Sequence, residues 1–132
     1  MRHWIGAAAL GFALVAASAG AASAQTPNIA GVWEVHGQIT FGDRIVSANP
    51  TCTFRQAAGR LSGVCVGPNA RGALTGLIAG RSVSWTWLNA ATTAIGITGR
   101  TNFNGTYVNG HLIQGSMTSS AMPGTGSFTQ TR

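Results

Sequence analysis

The sequence predicts an all-β fold, a small eight-stranded antiparallel up-and-down β-barrel with one disulfide hairpin. Three observations predict it. Gly, Thr, Ser and Asn punctuate apolar pairs at intervals of roughly eight to twelve residues, the strand spacing of all-β sandwiches and barrels, and helical periodicity is missing. Two alternating runs flank Ala58-Gly59, a dipeptide able to supply the positive backbone angles of a two-residue hairpin turn. Glycine also recurs inside strand-like segments, in Leu61-Ser62-Gly63, Leu74-Thr75-Gly76, Ile97-Thr98-Gly99 and, more loosely, Ile113-Gln114-Gly115. A glycine there weakens a strand, so its repetition points to the sharp coiling that closes a small barrel.

The hairpin sets its own register. Counting outward from Ala58-Gly59, Ala57 faces Arg60, Gln56 faces Leu61, Phe54 faces Gly63, and Cys52 falls opposite Cys65. The count places the cysteines at a non-hydrogen-bonded pair, where side chains approach most closely, so they are expected to form a disulfide. Cys52, Phe54, Leu61 and Cys65 share one face. Thr53, Arg55, Arg60 and Ser62 share the other, with Val64 the apolar exception, as in a sheet buried on one side.

The first 24 residues read as a signal peptide: a basic Met1-Arg2-His3, an apolar stretch from Trp4 to Ala17, and the small residues Ala22-Ser23-Ala24 before an expected cut after Ala24. Residues 25–132 then form one β-barrel domain of about 108 residues, enough for a single core. Export to the periplasm or the medium accounts for two cysteines held as a bridge. No stable membrane insertion is expected after cleavage.

Along that domain, Gln25 to Asn28 reads as a flexible lead. From Gly31, Trp33, Val35, Ile39 and Phe41 alternate with Glu34, His36, Gln38 and Thr40, which sets His36 outward. Gly42-Asp43 closes a tight hairpin into Arg44 to Ala48, and Asn49-Pro50 imposes a bend or an edge before the disulfide hairpin. A loop from Gly67 to Gly72 precedes Ala73 to Ile78, an Ala79-Gly80 turn, and Arg81 to Leu88, where Val83, Trp85 and Trp87 share a face. Asn89 to Thr93 reads as a loop, Ala94 to Val108 as a long strand bent at a glycine, Asn109-Gly110 as a turn into His111 to Thr118, and Met122 to Thr125 as the last loop before a closing strand from Gly126 to Arg132.

Charge is sparse and one-sided. Eight arginines oppose only Glu34 and Asp43, and lysine is absent. The arginines stand singly near turns and strand ends, where they solubilise the surface. No basic cluster interleaved with aromatics is present, so nucleic acid is not an expected partner. No cofactor motif and no metal-ligand spacing appears. A hydrolytic triad needs a histidine oriented by a buried carboxylate, but His36 faces outward and His111 sits beside a turn. Glu34 and Asp43 make no glycosidase pair with Asp43 in a turn. A non-enzyme is the expectation, with no catalytic residue assigned.

Gly31-Val32-Trp33 at the start of the first strand, the glycine-rich meander and the terminal Arg132 together resemble the calycin barrels: lipocalins, avidins and a small family of periplasmic metalloprotease inhibitors. The resemblance implies a structural role for Trp33 and Arg132, the arginine lying across the tryptophan where the barrel closes. Ser84-Trp85-Thr86-Trp87 is similar to avidin strands, but Val35 and Ile39 stand where a biotin site would want polar residues. In the inhibitor family the N-terminal segment plugs a protease cleft, and here only Gln25 to Asn28 offers such a segment.

Trp85, Trp87, Phe103 and Tyr107 are the candidate wall of a ligand site, because aromatic surface with a few polar tips suits a small-molecule pocket. Plain core packing is the competing reading of the same four residues, since an eight-stranded barrel has little interior to spare. The expected function is a non-catalytic binding module for a small apolar or aromatic ligand. The alternative is a protein-interaction barrel, an inhibitor or envelope-associated factor, with a protein partner.

Overall fold

The computed structural model describes residues 25–132, so the expected leader lies outside the described residues. Nine strands follow one another: β1 (Gly31–Phe41), β2 (Arg44–Ala48), β3 (Thr51–Ala57), β4 (Arg60–Val66), β5 (Ala70–Ala79), β6 (Ser82–Ala91), β7 (Gly99–Asn109), β8 (Leu112–Ser119) and β9 (Met122–Thr131). All pairings are antiparallel. β1 returns to β9 over Glu34–Ile39, closing the ring β1-β3-β4-β5-β6-β7-β8-β9 into an eight-stranded barrel.

β2 is the added strand. Glu34 pairs with Thr51 and Gly37 with Ala48, so β2 and β3 follow β1 in one continuous register, interrupted at Asn49-Pro50. Pro50 has no N–H to give, but its carbonyl accepts from Val35 N at 2.9 Å and carries the ladder across the break.

The disulfide hairpin has the register its turn dictates. Ala58 and Gly59 take φ of 50° and 84°, and Cys52 pairs with Cys65, bridged across a Cα–Cα distance of 4.0 Å. In-strand glycines supply the coiling: a Cβ at Gly63 would run into the carbonyl of Thr53, and one at Gly76 into that of Ser84.

Short antiparallel connections sort the chain ends. The lead, the turns after β3, β5 and β7, and the C-terminus gather at one end of the barrel. The connections after β1, β4, β6 and β8 gather at the other.

The first end is sealed. Ile29 is fully buried, its N–H donates to Gln56 Oε1 at 2.8 Å, and Gln56 Nε2 donates to the Pro27 carbonyl at 3.0 Å. Trp33 Nε1 donates to the Ile29 carbonyl at 2.9 Å. The Arg132 guanidinium lies 4.3 Å from the Trp33 ring centroid and donates to the carbonyls of Ala30, Asn28 and Gly110. The lead expected to be flexible, Gln25 to Asn28, is therefore docked from Pro27 onward, and together with Ile29 and Ala30 it plugs the barrel floor with an apolar side chain and backbone acceptors.

Above this floor the interior is solid. Phe54 meets Trp85 edge-on at 5.1 Å, Trp85 stacks on Phe103 at 3.9 Å, and Phe103 meets Phe128 edge-on at 5.1 Å, a chain of rings running through the barrel from β3 to β9. Buried Gln130 accepts from Trp85 Nε1 at 3.3 Å.

Several element boundaries differ from the sequence expectation. β6 continues through Asn89 to Ala91, β5 starts already at Ala70, and β9 at Met122, because ladder partners on neighbouring strands hold these residues extended. The stretch read as one strand from Ala94 begins instead at Gly99, so Ile97-Thr98 belongs to a loop. The turn after β5 falls on Gly80-Arg81, one residue late, with the positive φ of 58° on Gly80. After β7 a bulge between Tyr107 and Asn109 absorbs the Asn-Gly signal, and Asn109 Oδ1 accepts from His111 N. Phe41 is exposed rather than inward, since β1 runs out past the barrel rim there.

Candidate functional site at the open end of the barrel

The inward positions of β6 alternate Val83, Trp85, Trp87, Asn89 toward the open end, and all four are buried. β7 runs beside it with Phe103 and then Thr101 inward. The step from Trp85 and Phe103 to Trp87, Asn89 and Thr101 takes the interior from a ring stack to a mixed apolar and polar wall.

That wall borders a half-open cavity of about 330 Å³ at the barrel mouth. Its apolar lining comes from Ile39, Trp87, Met117 and Met122, with Ile95 and Ile97 from the loop between β6 and β7. Gly37 is the reason Met117 reaches the floor: a Cβ there would collide with the Met117 sulfur. On one side the cavity is bounded by Val46 to Asn49, on the other by Gly67 to Ala70.

Polar contacts hold the loop over the mouth. Thr101 Oγ1 donates to Asn89 Oδ1 at 3.0 Å, and Asn89 Nδ2 donates to the Ile97 carbonyl. Asn69 accepts twice, from Thr92 N at its carbonyl and from Thr93 Oγ1 at its side chain. Ala91 N donates to Thr98 Oγ1 at 3.0 Å. Ile95, at the loop tip, is 78% exposed. A loop with an exposed isoleucine at its tip is thus anchored at both sides by hydrogen bonds.

Among the described residues, one buried side-chain donor of a residue in the wall has no partner. Trp87 is 4% exposed and its Nε1 makes no hydrogen bond, in contrast to the indoles of Trp33 and Trp85, which both donate. The second orphan is Gln130 Nε2, which sits beside Trp85 in the packed interior and does not line the cavity.

The four aromatic residues singled out from the sequence are not brought together. Only Trp87 lines the cavity. Trp85 and Phe103 belong to the ring stack below it. Tyr107 lies at the sealed end, half-buried, with the Arg81 guanidinium 5.6 Å from its ring and donating to its carbonyl. Core packing therefore describes Trp85 and Phe103, and the cavity reading is left with Trp87.

Asn89, Thr101, Met117 and the loop isoleucines escaped sequence reasoning. Asn89 carried a usable signal, a polar residue in phase with Val83, Trp85 and Trp87, which was lost by ending the strand at Leu88. Thr101 is likewise in phase with Phe103. The loop isoleucines carried none, because only the folded chain brings residues 92–98 over the mouth.

β2 has a free outer edge. It pairs only with β1, and among the described residues no other backbone hydrogen bond reaches Arg44–Ala48. Ile45 on it is 64% exposed.

His36, Glu34 and Asp43 are all exposed, and no three His, Cys, Asp or Glu gather among the described residues. No protein-family model matches the sequence, and no curated protein matches it.

Proposed function

We propose that the chain is an exported, non-catalytic binding module of calycin type that takes a small apolar or aromatic ligand in the mouth of its barrel. The observation that carries this is the cavity of about 330 Å³ between the ring stack and the loop 92–98. That volume is near the lower end of small-molecule pockets, and the lining is mainly aliphatic side chains, one indole and a few polar groups. The packed interior beneath supports it from below: a rigid floor keeps the cavity open, where loose side chains would fill it. Arg132 laid across Trp33 supports the calycin resemblance, and the buried disulfide agrees with export. The outward placement of His36, Glu34 and Asp43 supports a role without catalysis.

The free edge of β2 favours a second reading, a protein-interaction barrel. An unpaired strand edge beside exposed Ile45 is a template for an added strand from a protein partner. Native mass spectrometry of the protein purified from its own source separates the two. A retained small molecule supports the ligand reading, and a retained polypeptide with no small molecule overturns it.

A further inference from the structure

We infer that Asn109 is a site of self-modification: its side-chain amide converts, without an enzyme, to a mixture of isoaspartate and aspartate, and the isoaspartate form loosens the Arg132 seal on the barrel floor. The inference stands apart from the binding role and is tested without it.

The chemistry needs an asparagine whose side-chain carbonyl carbon is attacked by the backbone nitrogen of the next residue. Glycine obstructs that attack least, having no Cβ. Of the asparagines in the chain, only Asn104 and Asn109 precede glycine. The fold separates the two. Asn104 and Gly105 lie inside β7, where Gly105 pairs with Val83 on β6 and with Gly115 on β8, and Asn104 Oδ1 accepts from Ser84 Oγ at 2.6 Å. Side chains of a strand stand off the sheet while its amides lie in it, so the ladder holds the Asn104 amide away from the Gly105 nitrogen.

Asn109-Gly110 is the opposite case. Gly110 and His111 make the turn between β7 and β8, closed by the Asn109–Leu112 pair, and Asn109 is exposed. Asn109 Oδ1 accepts from His111 N at 2.8 Å, which turns the side chain forward along the main chain, toward the Gly110 nitrogen. That bond also sets a donor on the oxygen that becomes negative when the carbonyl is attacked. Among the described residues, neither Gly110 N nor Asn109 Nδ2 makes a hydrogen bond, so nucleophile and leaving group are both unengaged.

The step exchanges one C–N bond for another. The Gly110 nitrogen bonds to Asn109 Cγ, the Cγ–Nδ2 bond breaks, and Nδ2 leaves as ammonia with the proton of the Gly110 N–H. Water then opens the cyclic imide at either carbonyl. Opening at the former backbone carbonyl leaves isoaspartate, whose main chain is one methylene longer just ahead of Gly110. The Gly110 carbonyl accepts from Arg132 Nε at 2.8 Å, and the same guanidinium holds the Ala30 and Asn28 carbonyls and covers Trp33. Conversion therefore displaces one of the holds on the group that seals the floor.

The full chain, incubated warm in mildly alkaline ¹⁸O-water, is digested and read by mass spectrometry with fragmentation that locates the converted residue and tells isoaspartate from aspartate. The inference expects ¹⁸O to enter residue 109 at least roughly tenfold faster than residue 104, because reaction inside the strand waits on local opening. In denaturant the preference should vanish. Gly110→Ala should slow conversion at residue 109; the backbone there has no positive φ, and an added Cβ meets only Tyr107 Oη, at 3.7 Å. Converted chains, separated by the negative charge they gain, should exchange the Ile29 amide faster than the parent. Equal labelling of the two sites in the folded chain, no labelling at residue 109, or a preference that persists in denaturant overturns the inference. Labelling at residue 109 with Ile29 exchange unchanged overturns its link to the seal. The two asparagines are compared within the unsubstituted chain, so that comparison decides even where Gly110→Ala does not fold.

Discussion

Breaking the Cys52–Cys65 bridge tests how far the barrel depends on its hairpin. The bond closes a short loop, with a sequence separation of 13, between two adjacent strands. Chain-entropy reasoning gives a loop of that size about 3 kcal/mol of stabilisation, acting on the unfolded chain. Native-state packing adds a term, because both cysteines are fully buried and Cys52 pairs with Trp33 on β1. Replacing both by serine keeps the volume nearly constant and lets the two hydroxyls bond to each other, so the loop term dominates. The double variant should lose about 2–4 kcal/mol. For a domain of this size that is a fall in melting temperature of very roughly 10–25 °C. Calorimetry of the oxidised protein, the reduced protein and the Cys52→Ser, Cys65→Ser variant measures it, with free thiols confirmed by mass. Reduced and oxidised forms melting together would refute the reasoning.

Three further outcomes follow from contacts elsewhere in the barrel. Arg132→Ala removes the cation–π contact with Trp33 and the bonds to three carbonyls, and should cost roughly 1–2 kcal/mol in denaturant unfolding while speeding amide exchange at Ile29; unchanged exchange there would dismiss the sealing role. Thr101→Val keeps the shape of the cavity wall but strips Asn89 Oδ1 of its donor, at about 1–3 kcal/mol, and should loosen the loop through the Asn89 bond to Ile97; a variant as stable as the parent would remove that link. Gly96→Ala pushes a methyl into the Asn69 carbonyl, so limited proteolysis should open first within residues 92–98, and a cleavage pattern like the parent's would show that the loop is not pinned there.

The parts of the fold legible in the sequence were those set by local geometry. In Thr51 to Val66 a two-residue turn and a period of two determine every pairing, so the Cys52–Cys65 partnership follows from counting. The barrel itself was legible through strand spacing and in-strand glycines, and three of the four glycine triplets do lie within strands. Legibility failed where distant residues decide. Asn89 looks like a loop residue until Thr101 and the Ile97 carbonyl give its amide partners. Ile29 looks like part of a tail until Gln56 and Trp33 draw it into the floor. Of the site, the sequence offered four aromatic residues on grounds of residue type alone, which does not tell the stack of Trp85 and Phe103 from the next buried position of the same face, where Trp87 meets the cavity.

The most direct test of the binding role is an ethylbenzene titration of the full chain beside an Ala48→Trp variant, followed through ¹³C-methyl resonances. Ala48 lies on the cavity wall next to the free edge of β2, where a large ring enters the mouth without displacing a ladder partner. The account predicts saturable shifts at Ile39, Ile97 and Met117 in the parent, and none in a variant that melts as the parent does. Shifts spread over the barrel exterior, or saturable binding that survives Ala48→Trp, would contradict it.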